Sequence, residues 1–392
     1  MISKIKILEF SKFNVVTIIS KFVAVFFLPF LTTILPKEEI GLISIYTRLI
    51  GLVSIVFGLG YFSQIIKIKD SLSLKKLINE FVKILLVGFT ISLILFLIPN
   101  YGSFNIALIM ITGVFLAGLT FFRNYYRLNS LTNKYLINEI IFIVTSVGFS
   151  LIFLYFFTNY ISRIWGICLS YILTFIIYYK RFKMPNLKPY TSFSFFKNSI
   201  SLLPHMILKW VRSRSDIVLL TLYFSASVIS DYAIALSVSS LALVFYDAHN
   251  QFFLSSAKNN LQANEIKKWT KEIYKSVILY FLILIVLILS IDLIYSIFGW
   301  IDFENGKTYA KILSCLFFLK AISNLFTTYF NYFNLNYTLS KITFMISIIY
   351  LISGIISMHY FNIEIFLVSL ILIELIVITI FKIIIDNGKH FN

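Results

Sequence analysis

The chain is dominated by apolar runs about as long as a bilayer is thick. A helix needs roughly 20 such residues to cross about 30 Å of hydrocarbon. Twelve segments qualify: 13–35, 40–62, 77–98, 104–122, 136–157, 160–179, 200–224, 231–254, 273–298, 308–330, 342–360 and 363–385. A water-soluble fold of 392 residues could not cover its surface with 13% charged residues, about half the usual share of roughly 25%. Two cysteines, Cys168 and Cys315, exclude a disulfide scaffold. The runs are continuous rather than alternating, which disfavours a transmembrane β-barrel. The expectation is an all-α, polytopic membrane protein with about 12 transmembrane helices. The start, MISKIKILEFSK, reads as part of the chain and not as a cleavable signal, because no small-residue cleavage site closes the apolar region.

Lysine and arginine mark the cytoplasmic loops of such a protein. One set of alternating loops holds twenty-three of them, from Lys4 to Lys389; the other holds four, Lys37, Arg163, Lys307 and Lys311. Both termini are therefore expected inside, with an even number of spans. This topology accounts for most of the +17 net charge. Nucleic acid is not an expected partner, because no soluble domain is left to carry a basic patch.

The longest polar interruption, Lys180–Ser199, parts the chain into six spans and six. The expected organisation is an N-terminal six-helix lobe over 1–185, a cytoplasmic linker over 186–198 and a C-terminal six-helix lobe over 199–392. Two halves of even span number enter the membrane in the same sense, as parallel repeats do. KKLINEFVK from Lys75 and KKWTKEIYK from Lys267 echo one another at equivalent positions, although a lysine-rich sequence also produces such echoes by chance.

Catalytic and metal-binding patterns are missing. His205, His249, His359 and His390 are scattered, with no CxxC or HExxH spacing, so no metal or cofactor is expected. Gly306-Lys307-Thr308 resembles the end of a phosphate-binding loop, but Ile301 stands where that loop needs glycine.

The informative residues are ionisable groups inside the spans: Lys21, Arg48, Lys209, Arg212, Arg214, Asp216, Asp247, Lys320 and Glu374. Each costs about 2.5–3.5 kcal/mol near mid-bilayer. Nine facing lipid would cost on the order of 25 kcal/mol, more than the about 5–15 kcal/mol that stabilises a fold. They are expected to face protein, water or one another. Six are basic and three acidic, a balance that suits an anionic substrate. In the seventh span His205, Lys209, Arg212 and Asp216 fall on one helical stripe, where Arg212 and Asp216 are spaced to pair. Lys21, Arg48, Lys209 and Arg212 are the expected substrate-binding residues. Asp216, Asp247, Lys320 and Glu374 are candidates for coupling or for structure, Glu374 as a partner for Lys320. Interhelical hydrogen bonding is the competing reading for each polar stripe. Pro29 and Pro204 free a backbone carbonyl and allow a bend in the first and seventh spans.

Two stretches carry a family resemblance. LPFLTTILPKEEIGLISIY, Leu28–Tyr46, and SLLPHMILKWVRSRSDIVLLTLYFSASVISDYAIAL, Ser201–Leu236, resemble the first and second and the seventh and eighth helices of the polysaccharide repeat-unit (O-antigen) flippases, Wzx type. These belong to the multidrug/oligosaccharidyl-lipid/polysaccharide exporter superfamily. The resemblance implies a MATE-like pair of six-helix lobes around a central cavity lined by helices one, two, seven and eight. It implies a transporter, not an enzyme, that moves undecaprenyl-pyrophosphate-linked oligosaccharide for O-antigen or capsular polysaccharide synthesis. Its partners would be that lipid-linked oligosaccharide, membrane lipids and other polysaccharide-assembly proteins. Two alternatives stay open. One is an ion-coupled multidrug exporter of the same superfamily, whose cavity should favour carboxylates. The other is a membrane polysaccharide polymerase or ligase, which needs a large external catalytic loop.

Overall fold

The computed structural model describes residues 19, 22–23, 25–61, 71–98, 101–128, 131–181, 194–262, 266–333 and 335–388. Among these residues the chain is helical, with a single 3-10 turn at Ile301–Phe303 and no strand. The helices are α1 (Val25–Ile34), α2 (Lys37–Gly58), α3 (Ser71–Leu97), α4 (Tyr101–Leu128), α5 (Thr132–Phe156), α6 (Tyr160–Arg181), α7 (Ser194–Ile200), α8 (Leu203–Arg214), α9 (Asp216–Leu220), α10 (Ala226–Gln262), α11 (Ile266–Ile297), α12 (Asn305–Tyr332), α13 (Asn336–Tyr360) and α14 (Ile363–Gly388). Hydrocarbon offers no partner for backbone N–H and C=O groups, so long apolar segments satisfy them internally as helices.

Ten helices, α2–α6 and α10–α14, are long and apolar enough to cross a membrane. The lipid-facing character is plain on α11, where Ile278, Leu282, Val286, Leu289, Leu293 and Ile297 recur every three or four residues and are each more than half exposed. Water would not tolerate a stripe that long. Two of the twelve expected spans are not among the ten. The first, 13–35, is largely outside the described residues, which show an apolar helix over Val25–Ile34. The seventh, 200–224, is not one helix: α8 stops at Arg214, α9 runs for five residues from Asp216, and turns follow to Ser225.

The chain divides into two compact units, one built on Ile34–Trp210 and the other on Ala24–Thr33 with Val211–Asn392. Their internal packing follows the same order. In the first, α4 packs against α2, α3 and α6, and α5 against α6. In the second, α12 packs against α10, α11 and α14, and α13 against α14. Shifting the helix numbers by eight converts one list into the other. The echoed lysine-rich stretches fall on α3 and α11, which correspond in this order.

The units differ from the two sequence halves at a reciprocal pair of segments. Helix α1 groups with the second unit. The Trp300 indole N–H, 1% exposed, donates to Thr32 Oγ1 at 3.0 Å, and Phe26 meets Phe298 edge-on at 6.0 Å between centroids. Helix α7 and most of α8 group with the first unit. The buried Glu80 carboxylate accepts the backbone N–H of Phe195 at 3.0 Å, satisfying a donor in the first turn of α7 that has no intrahelical partner. Helix α2 ends in a left-handed turn at Leu59 and Gly60. A Cβ at Gly60 would lie 3.2 Å from Leu202 Cβ and 3.3 Å from Met206 Sδ, so glycine supplies both the φ of +70° and the room for α8.

Candidate functional site

The seventh span is interrupted at Ser215, between α8 and α9. Ser215 Oγ donates to the Val211 carbonyl at 2.6 Å, beside a stretched backbone bond of 3.4 Å from Ser215 N–H to the same oxygen. A serine hydroxyl competing for the carbonyl four residues back loosens a helix at that turn. Discontinuous helices within a membrane are tolerated where polar groups gather, and the flanking residues are polar: Arg212, Ser213, Arg214 and Asp216.

Arg212 is bound to Glu374 of α14. Its Nη2 donates to both carboxylate oxygens, at 2.8 Å each, and Nε donates to Oε1 at 3.2 Å. The side chains are 18% and 3% exposed. Such forked, charge-assisted bonds are among the strongest an arginine makes. The expected Arg212–Asp216 pair is not formed: Arg212 is held by Glu374 and Asp216 by Tyr232. Asp216 is buried and accepts the Tyr232 hydroxyl of α10 on Oδ2 at 2.7 Å. Its Oδ1 has no hydrogen-bond partner among the described residues. Glu374 is not the partner of Lys320, whose ammonium lies 5.9 Å from the Phe317 ring centre. Arg212 offers two parallel donors where a lysine offers a point charge.

In the first unit, Arg48 lies half-buried on α2 and forms no ion pair or hydrogen bond among the described residues. One turn on, a Cβ at Gly51 would meet Trp210 Nε1 at 3.8 Å, which sets α8 against this face of α2. Along the same face the helices enclose a cavity of about 60 Å³ lined by Ser54, Ile55, Gly58, Phe81, Phe121 and Met206 among others. Lys209, beside Trp210, is exposed. Arg48 and Lys209 thus sit on neighbouring helices of one unit. Lys21 lies outside the described residues.

Asp247 is half-buried near a polar group at the far part of α10. There the Tyr280 hydroxyl of α11 donates to Asn250 Oδ1 at 2.8 Å and contacts His249 Nδ1 at 2.9 Å. Several buried charges were not singled out in the sequence. Arg123 of α4, counted there as a loop cation, pairs with Glu139 of α5 at 2.5 Å, and the Tyr178 hydroxyl donates to the same carboxylate at 3.1 Å. Arg163, counted as an outer-loop cation, donates to the Ser146 carbonyl at 3.1 Å and to Ser150 Oγ. Asp231, 2% exposed, lies 3.4 Å from the Asn305 amide. All stand within one or two turns of a span end, where a charge reads as a flank; a partner on the neighbouring span was the available signal. Among the described residues no three His, Cys, Asp or Glu gather as metal ligands. The Gly306-Lys307-Thr308 stretch opens α12, with Gly306 against the Tyr295 hydroxyl.

No protein-family model and no curated protein matches the chain. Solved structures do. An inward-facing multidrug resistance MATE family transporter of the MOP superfamily aligns with a TM-score of 0.72 at 11% identity, over 94% of this chain and 95% of that one. The lipid II flippase MurJ, in an inward closed conformation, aligns with a TM-score of 0.67 at 15% identity, over 95% and 87%. A MATE in complex with MaL6 aligns with a TM-score of 0.63 at 9% identity, over 97% and 96%. The chain therefore has the polytopic helical fold shared by MATE transporters and MurJ, and these neighbours are transporters and a flippase rather than enzymes.

Proposed function

We propose that the protein is a flippase that carries undecaprenyl-pyrophosphate-linked oligosaccharide repeat units across the bacterial cytoplasmic membrane, for O-antigen or capsular polysaccharide assembly. The observation that carries this reading is the fold, shared with a lipid II flippase over 95% of the chain. The charges then favour an anionic headgroup. The buried carboxylates Glu374, Glu139 and Glu80 are each engaged by a donor of the protein, whereas Arg48 is half-buried with no anion of its own among the described residues. In this proposal Arg48 and Lys209, joined by Lys21, attract the pyrophosphate, and charge-assisted hydrogen bonds offset its desolvation. Arg212 contributes when Glu374 releases it. The polyprenyl tail stays in the bilayer, both termini face the cytoplasm, and other polysaccharide-assembly proteins supply and receive the substrate.

A second reading, an ion-coupled exporter of cationic compounds, is favoured by the half-satisfied carboxylate of Asp216 and by the MATE likeness. The two separate in cells. Arg48→Ala combined with Lys209→Ala should lower surface polysaccharide at least about tenfold at unchanged protein level, the size of effect expected when charged contacts to a phosphate are lost. Normal polysaccharide with lost drug resistance would favour the exporter.

A further inference from the structure

The Arg212–Glu374 pair raises a question that the flippase reading leaves open: why an arginine suited to phosphate is already held by a carboxylate. We propose that Glu374 is a specificity-determining residue that keeps singly charged phosphate esters off Arg212 and yields only to a pyrophosphate. This rests on the flippase reading and deepens it.

Two features carry the inference. The first is the pattern of donors. A guanidinium has five N–H groups, and Glu374 occupies those on Nε and Nη2. Nη1 makes no hydrogen bond among the described residues, and the arginine side chain is 18% exposed. An incoming phosphate can therefore begin to bind at one edge before the carboxylate leaves the other. The second is the penalty for displacing Glu374. Its side chain is 3% exposed, and Arg212 is its hydrogen-bond partner among the described residues, so release strands a buried charge. Breaking such a pair from one side is costly. A phosphodiester, with one negative charge, replaces the attraction it disrupts and gains nothing; a pyrophosphate brings more charge and a second set of oxygens.

The test uses the full chain in detergent, with geranylgeranyl pyrophosphate, the singly charged diester geranylgeranyl methyl phosphate and short-chain phosphatidylglycerol as probes in equilibrium binding. The wild type should bind the pyrophosphate at least about tenfold tighter than the diester, with no competition from phosphatidylglycerol. Glu374→Gln should narrow that ratio to about threefold or less, chiefly through tighter binding of the diester, and phosphatidylglycerol should now compete. Glu374→Asp, which keeps the charge and shortens the reach, should fall between. A wild type that binds both prenyl phosphates equally overturns the inference, and needs no variant to fold. So does a ratio that survives in both variants. Pyrophosphate binding by none of the proteins defeats the flippase reading along with it.

Discussion

Arg212 grips both carboxylate oxygens of Glu374, 162 residues further along the chain. A buried pair of this kind is a poor source of net stability but an expensive one to halve. Arg212→Ala or Glu374→Ala alone should destabilise the protein by about 3–5 kcal/mol, read as a fall in thermal midpoint in detergent. Arg212→Met with Glu374→Met, which leaves no unpaired charge, should cost much less than the two single losses together. Strictly additive losses would show that the two side chains are not coupled.

The second prediction concerns Asp216, which draws one hydrogen bond from Tyr232 and none on Oδ1 among the described residues. Tyr232→Phe removes a donor to a buried carboxylate and should cost about 1–3 kcal/mol. Asp216→Asn, which needs less solvation than the charged form, should offset much of that loss in the double variant. Unfolding curves of the four proteins decide it, and a neutral Tyr232→Phe would contradict the assigned contact.

Helices α5 and α6 cross at Gly166, where a Cβ would lie 2.6 Å from both the Cα and the backbone nitrogen of Ser150. Backbone cannot step aside, so Gly166→Ala should separate the helices and cost roughly 1–3 kcal/mol. Gly148 on α5 has nothing within 4 Å of the same position. Gly148→Ala should be neutral or stabilise by up to about 1 kcal/mol through helix propensity. Equal responses at the two glycines would refute the close crossing.

The contact between Glu80 and Phe195 is local enough to follow by hydrogen exchange. Glu80→Ala leaves the Phe195 N–H without its acceptor, and α7 should lose protection across Phe195 to Ile200. A charged hydrogen bond of this kind is worth about 1.5–3 kcal/mol, so exchange there should quicken by at least about tenfold. Unchanged exchange in α7, with the rest of the first unit intact, would show that Glu80 does not hold it.

The long apolar helices were legible because lipid imposes a length and leaves the backbone no other option. Helices α2–α6 and α10–α14 follow the expected spans closely, apart from polar ends such as Asn250–Gln262 of α10, which hydropathy does not register. The seventh span was misread as continuous. Its charged stripe assumes an unbroken 3.6-residue period, and the helical pairing lapses at Ser215. Partners over long sequence distances were the hardest to foresee. Nothing near Arg212 points to Glu374 rather than Asp216, because the choice is made by how α14 packs. Arg123 falls among the loop cations, and nothing in the sequence marks Glu139 as its partner; the α4–α5 hairpin brings the two to 2.5 Å. The grouping of α1 with the second unit and of α7 with the first goes with contacts far apart in sequence, among them Trp300 to Thr32, Phe298 to Phe26 and Phe195 to Glu80, that no periodicity encodes.

The central claim is that this fold moves a pyrophosphate-linked oligosaccharide between leaflets. It is tested most directly in proteoliposomes loaded with such a lipid, by following access of an external glycosidase to the sugar. The wild type should expose the inner-leaflet pool, while the Arg48→Ala, Lys209→Ala variant, reconstituted at the same density, should be slower by at least about tenfold. Translocation by the wild type no faster than in empty liposomes, in a preparation that stays folded and binds no prenyl pyrophosphate, would contradict it.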